Sequence, residues 1–187
     1  MKKIITLVTA LILILLVASF VFNKKTAEAP IKEDPSEDAD KVSSFEECAE
    51  SGNPVMESYP RKCSHNGKTF IEDVGNLIDK IDLITLNSPL PNTEISSPLK
   101  ITGQARGYWF FEATFPVILT DWDGKIIAEG FATAKDDWMT ENFVEFESEI
   151  SFEKPVYGER GFLILKKSNA SGLPEHDDAL EIPILFK

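Results

Sequence analysis

The chain has 187 residues, with 19 basic against 31 acidic side chains, a net charge of −12, two cysteines and two histidines. Nucleic-acid affinity rests on clustered Lys and Arg at phosphates, so this balance argues against DNA or RNA as a partner and against docking on anionic lipid. Two histidines and one cysteine pair also supply poor material for a zinc site or a nucleophile with its base, so no cofactor, metal or enzymatic activity is expected.

Lys2 and Lys3 precede an uncharged stretch over residues 4–22, which at about 1.5 Å per residue would cross nearly the whole hydrocarbon core of roughly 30 Å. Bulky Phe20 and Phe22 are followed at once by Lys24 and Lys25, where a cleavable signal would place small residues. Residues 1–25 are therefore expected to form an uncleaved signal-anchor, a transmembrane helix with its N-terminus cytoplasmic and the rest extracytoplasmic. Cleavage after Ala29, in Ala27-Glu28-Ala29, is the alternative and would give a secreted protein. The first 25 residues hold four of the 19 basic residues and none of the 31 acidic ones, leaving 15 against 31 beyond them. Residues 26–44 are acidic and almost without large apolar side chains, which predicts a flexible linker with a reach of about 25 Å.

Residues 45–72 predict a small unit. Ser44-Phe45-Glu46-Glu47 has capping-box spacing for a short helix that Gly52 would end. Asn66-Gly67 is the signal for a tight hairpin turn between strands over 59–64 and 68–72. A Cys48–Cys63 disulfide would close a loop of about 15 residues, worth roughly 3 kcal/mol in the chain-entropy account, which matters for a unit with so little core. The residues Pro54-Val55, Tyr59, Cys63 and Asn66-Gly67-Lys68-Thr69-Phe70 resemble part of a Kazal-type proteinase inhibitor. That resemblance implies a serine-proteinase inhibitor acting through the 54–62 loop. Such inhibitors hold their loop with several disulfides and one can form here, so a stapled structural or adhesive module is the first reading.

Residues 73–80 are expected as a second linker, and from Ile81 the period changes to two. Leu99, Ile101, Gly103 and Ala105 alternate with polar neighbours, as on a half-buried strand. A strand from about residue 108 to 120 would put Trp109, Phe111, Ala113, Phe115, Val117 and Leu119 on one face, with Pro116 at a bulge or edge. Asp123-Gly124 predicts a hairpin into residues 126–134. Val144, Phe146, Ile150 and Phe152 alternate with acids, Phe162 to Leu165 is apolar on both faces, and Leu180, Ile182, Ile184 and Phe186 alternate again. About seven short strands over 81–187, with a tryptophan on the third, predict an all-β, immunoglobulin-like antiparallel sandwich.

The same residues carry a family resemblance. Ser97-Pro98-Leu99, Gly103-x-Ala105-x-Gly107, Trp109-x-Phe111-Glu112-Ala113-x-Phe115-Pro116-Val117, Asp121-x-x-Gly124, Asp137-Trp138-Met139, Phe143-x-x-Phe146 and Asn169-x-Ser171-Gly172 resemble the immunoglobulin-like domain of bacterial spore germination, the module found beside the GerMN domain. The resemblance implies a non-catalytic extracytoplasmic module for binding or assembly, with a cell-wall polymer or an envelope protein as partner. No GerMN segment accompanies it in these residues, so a role in germination does not carry over.

Five residues stand out as candidate ligand contacts. On the expected strand Tyr108, Phe110 and Glu112 share the face opposite Trp109, where two aromatics beside a carboxylate could hold a sugar ring or a protein, unless a neighbouring strand covers them. Trp138 and Met139 fall in the polar stretch 135–142, either plugging the end of the sandwich or standing out as an anchor. Carboxylates such as Glu112, Asp121, Asp123, Asp136, Asp137 and Glu141 could be paired as in glycosidases, but so acidic a chain supplies such pairs by chance. Asp121-Trp122-Asp123-Gly124 and His176-Asp177-Asp178 are oxygen-rich, yet lack EF-hand spacing, and hairpin chemistry explains the first.

Overall fold

Alternation decides the layout of the larger part. The computed structural model describes residues 42–187, and the expected membrane helix and acidic linker lie outside them, apart from the linker's last three residues. Eight strands build the sandwich: β4 (Ile84–Ser88), β5 (Glu94–Ile95), β6 (Leu99–Arg106), β7 (Thr114–Asp121), β8 (Ile126–Ala134), β9 (Phe143–Ile150), β10 (Arg160–Lys166) and β11 (Ala179–Phe186). Their hydrogen-bonded order is β4-β6-β9-β8-β7-β10-β11-β5. Between β9 and β8 only two residue pairs form, Glu147 with Thr133 and Phe146 with Ala134. At that seam the sheet turns back on itself, giving layers β4-β6-β9 and β8-β7-β10-β11-β5.

The alternating apolar residues face inward between the layers. Ile101, Ala105, Val117, Leu119, Leu163, Leu165, Leu180 and Ile182 are fully buried. Across the gap Phe115 of β7 meets Phe146 of β9 edge-on, 4.9 Å between ring centroids. Phe162 and Ile164 are half-buried on the outer side of β10, which lies between β7 and β11 as a strand apolar on both faces should.

Three details differ from the sequence reading. β5, two residues long and parallel to β11, is too short to show a period. The register irregularity in β7 lies at Leu119/Thr120, not at Pro116. Pro116 faces Phe131 in a strand with neighbours on both sides, but the ladder to β10 has ended one residue earlier, at Val117–Leu165. Thirdly, β7 begins at Thr114, so Trp109 is not on a strand at all: residues 107–109 form a 3-10 turn.

Ahead of the sandwich, Ser44 Oγ accepts from Glu47 N at 3.1 Å and the Glu47 carboxylate accepts from Ser43 N at 2.7 Å, so α1 (Phe45–Glu50) starts at the capping signal. β1 (Val55–Met56), β2 (Lys62–His65) and β3 (Lys68–Ile71) form a separate antiparallel sheet in the order β1-β2-β3. Asn66-Gly67, with φ of 48° and 75°, makes the turn. The Cys48–Cys63 disulfide is formed, and with Phe45 it makes a small core against which Val42 and Phe70 pack.

Residues 73–80, expected as a linker, carry α2 (Leu77–Lys80) and run along β11. Asn76 supplies the clamp: its backbone N donates to Glu181 O at 3.1 Å, its Oδ1 accepts from Glu181 N at 2.8 Å, and its Nδ2 donates to Ala179 O at 2.9 Å. Glu72 accepts two bonds from the Arg61 guanidinium, at 2.8 and 2.6 Å, and longer ones from Arg61 N and Asn92 Nδ2, and the backbone N of Asn92 reaches Pro183 O. Among the described residues no helix is long and apolar enough to cross a membrane.

Candidate binding surfaces at the two ends of the sandwich

One end of the sandwich gathers the loops 107–113, 135–142 and 167–178. The 3-10 turn advances about three residues per turn, so side chains three apart eclipse and the strand alternation is broken. Tyr108 and Phe111 therefore both point to solvent, and the consecutive Trp109 and Phe110 both turn inward. Phe110 is 3% exposed and packs at 5.1 Å against Phe115. Its expected place beside Tyr108 on an open face is corrected: it belongs to the core, and Phe111 stands outside instead.

Glu112 and Ala113 sit at the turn between Phe111 and Thr114, which exchange both backbone bonds, at 3.0 and 3.1 Å. Both turn residues have positive φ, 50° and 61°, a conformation that non-glycine residues adopt at some cost. Glu112 is exposed and Tyr108 is half exposed with Lys167 Nζ 5.9 Å from its ring centroid. Trp138 packs partly buried on the core, and its carbonyl and that of Thr140 press on Gly107, so it plugs this end. Met139 beside it is 76% exposed, its N donating to Asp137 Oδ1. Of the five predicted contacts, Tyr108, Glu112 and Met139 thus share one open end, Trp138 lies at its base and Phe110 lies beneath it.

The opposite end holds what sequence reasoning passed over. The β7–β8 turn and the 151–157 loop after β9 enclose an open cleft of about 990 Å³. Trp122 is 61% exposed, Val156 88% and Tyr157 81%, and Phe152 completes the wall while it packs at 5.6 Å on Phe186. Asp121 Oδ1 accepts from Asp123 N at 3.0 Å and Lys125 N at 2.9 Å, which fixes the turn and throws Trp122 outward. A Trp in the Asp-Trp-Asp-Gly stretch was legible as an exposed ring, because Asp123-Gly124 already marked a hairpin tip. Its partner loop was not, since 151–157 lies some thirty residues on and shares no period with it.

Residues 83–172 match the family model of the immunoglobulin-like domain of bacterial spore germination. The match runs from just before β4 to the loop after β10, so the matched residues include the 107–113, 135–142 and 151–157 loops, and β11 lies beyond them. No curated protein and no solved structure matches the chain.

Catalytic chemistry finds little support among the described residues. Of the carboxylates weighed as pairs, Asp121 and Asp137 serve as turn formers. His65 Nδ1 pairs with Asn53 Oδ1 at 2.9 Å in the small unit, whereas His176 lies in the 174–176 turn of the sandwich. Among the described residues no group of three His, Cys, Asp or Glu side chains is arranged to hold a metal ion. In the segment 54–62, Val55 and Met56 are paired with Cys63 and Lys62, and Arg61 is committed to Glu72. Glu72 is 7% exposed, and its hydrogen bonds from Arg61 hold its carboxyl below the usual carboxylate range. Burial pushes the neighbouring Tyr59 hydroxyl up, with the Glu72 charge adding to the effect.

Proposed function

We propose that the protein is a non-catalytic binding or scaffolding module of a bacterial cell envelope, held to the membrane by residues 4–22 and presented outside it. The observation that carries this reading is the cleft between the β7–β8 turn and the 151–157 loop, where Trp122, Val156 and Tyr157 stand in solvent on a sandwich whose core is otherwise closed. Large aromatics exposed together on a rigid frame are poor for solubility alone and suit the centre of a binding surface. The family match supports a non-catalytic binding or scaffolding role, and the acidic balance supports a partner other than nucleic acid.

The test is topology and retention together. Protease added to intact cells is expected to remove residues 42–187 from their tether, and the full-length chain is expected to sediment with envelope fragments. Protection of the domain in intact cells, or a chain that stays in the supernatant with every envelope fraction, would overturn the reading.

A further inference from the structure

We infer that the cleft between the β7–β8 turn and the 151–157 loop is a saccharide site, taking a neutral oligomer of pyranose rings. This rests on the binding reading above and names its ligand. The volume, about 990 Å³, is at the upper end of what ligand sites use and exceeds what one small ring fills.

Three chemical features converge there. First, a flat apolar ring is offered to solvent and held: the Trp122 indole lies over Gly158, whose added Cβ would come within 2.6 Å of Cδ1, and Tyr157 is the adjacent residue. The axial C–H face of a pyranose is an apolar surface of matching size, and burying it against an indole removes both from water. Second, the rim carries Asp123, Lys125, Glu153 and Lys154, and none of these side chains has a hydrogen-bond or ion-pair partner among the described residues. Sugar hydroxyls donate and accept at once, so a rim holding carboxylate acceptors beside ammonium donors matches them on every edge. Third, the charge argues for a neutral ligand. The rim holds three carboxylates, counting Asp121, against two lysines, and the described residues carry 13 basic against 25 acidic side chains. A polyanion such as a phosphate-linked wall polymer would meet repulsion on approach.

An apolar peptide would use the aromatics equally but would leave the charged rim unmatched, and burying those groups without partners is costly.

The test is titration of the full-length chain, in a detergent without a sugar headgroup, with the β-1,4-linked tetramer of N-acetylglucosamine, read by tryptophan emission and calorimetry. Saturable binding is expected in the weak range, with Kd of about 0.1 to 1 mM. Trp122→Ala and Tyr157→Ala should each weaken it by about tenfold or more, while Tyr108→Ala and Met139→Ala at the other end leave it unchanged. A polygalacturonate oligomer of the same length should not bind. No saturation up to about 10 mM, or binding indifferent to Trp122→Ala, would overturn the inference. If the tetramer fails while envelope retention still depends on Trp122, the ligand is not a saccharide and the binding reading stands. If retention fails as well, both fall.

Discussion

Trp122 lies across Gly158, its Cδ1 so close that a Cβ at position 158 would sit 2.6 Å away. The two residues come from different loops, the β7–β8 turn and the segment before β10, and their contact is what gives the exposed indole a fixed position. Gly158→Val should therefore dislodge the indole. With φ at 85° the substitution carries backbone strain of about 1 kcal/mol or somewhat more, a small part of the stability of a sandwich of this size. The expected outcome is a fold that melts slightly earlier, with Trp122 emission shifted to the red and envelope binding reduced. A variant that binds as the parent does would show that the position of the ring is immaterial.

The inward step of the 3-10 turn predicts opposite effects at two adjacent phenylalanines. Phe110→Ala removes a buried ring from contact with Phe115 and should cost about 3 to 5 kcal/mol. Phe111→Ala, at an exposed position, should lie within about 0.5 kcal/mol of the parent. Denaturant unfolding of both variants checks the assignment, and equal losses would contradict it.

Arg61 and Glu72 make the junction sensitive to acid. The carboxyl of Glu72 titrates lower in the folded chain than in the unfolded one, chiefly because of the hydrogen bonds from Arg61. Its contribution to stability is thus complete above the ordinary carboxylate range, near pH 4.5, and is lost as pH falls through the depressed folded value. Glu72→Gln should be less stable than the parent at pH 7, and the difference should shrink below about pH 4. Melting curves across that range decide it; a constant difference would remove Glu72 from the account. At pH 7 Arg61→Ala should cost about 2 kcal/mol, since it leaves a buried carboxylate with only two long hydrogen bonds, from the backbone N of residue 61 and from Asn92.

Reduction of Cys48–Cys63 should loosen the small unit selectively. Its core is Phe45 and the two cysteines, so loss of about 3 kcal/mol of chain restriction leaves little to hold β1-β2-β3 together. Amide exchange in β2 and β3 should accelerate under reductant while β10 and β7 keep their protection. Uniform acceleration would mean that the unit and the sandwich open together.

The long strands were legible because one face of each is buried over about eight residues: Leu99, Ile101 and Ala105, or Leu180, Ile182, Ile184 and Phe186, write their inward face directly into the sequence. The Ser44 cap and the Asn66-Gly67 turn were legible because local hydrogen bonding alone sets them. Misreading began where the period changed without a marker. Nothing in Tyr108-Trp109-Phe110-Phe111 distinguishes a strand from a single 3-10 turn, and the difference of phase moved Phe110 from an expected contact into the core. The cleft was hidden for another reason: it is made by two loops distant in sequence, and it is the pairing of β10 with β7, Gly161 opposite Asp121, that brings the end of the second loop beside Trp122. Asn76 was likewise silent, since its role depends on the backbone of Glu181, 105 residues away.

The most direct measurement is retention of the full-length protein by purified envelope material, comparing a Trp122→Ala, Tyr157→Ala double variant with a Tyr108→Ala, Met139→Ala double variant of equal stability. Retention lost in the first and kept in the second is the predicted result. Retention kept in the first and lost in the second would contradict the account and move the binding surface to the end that carries Tyr108, Glu112 and Met139.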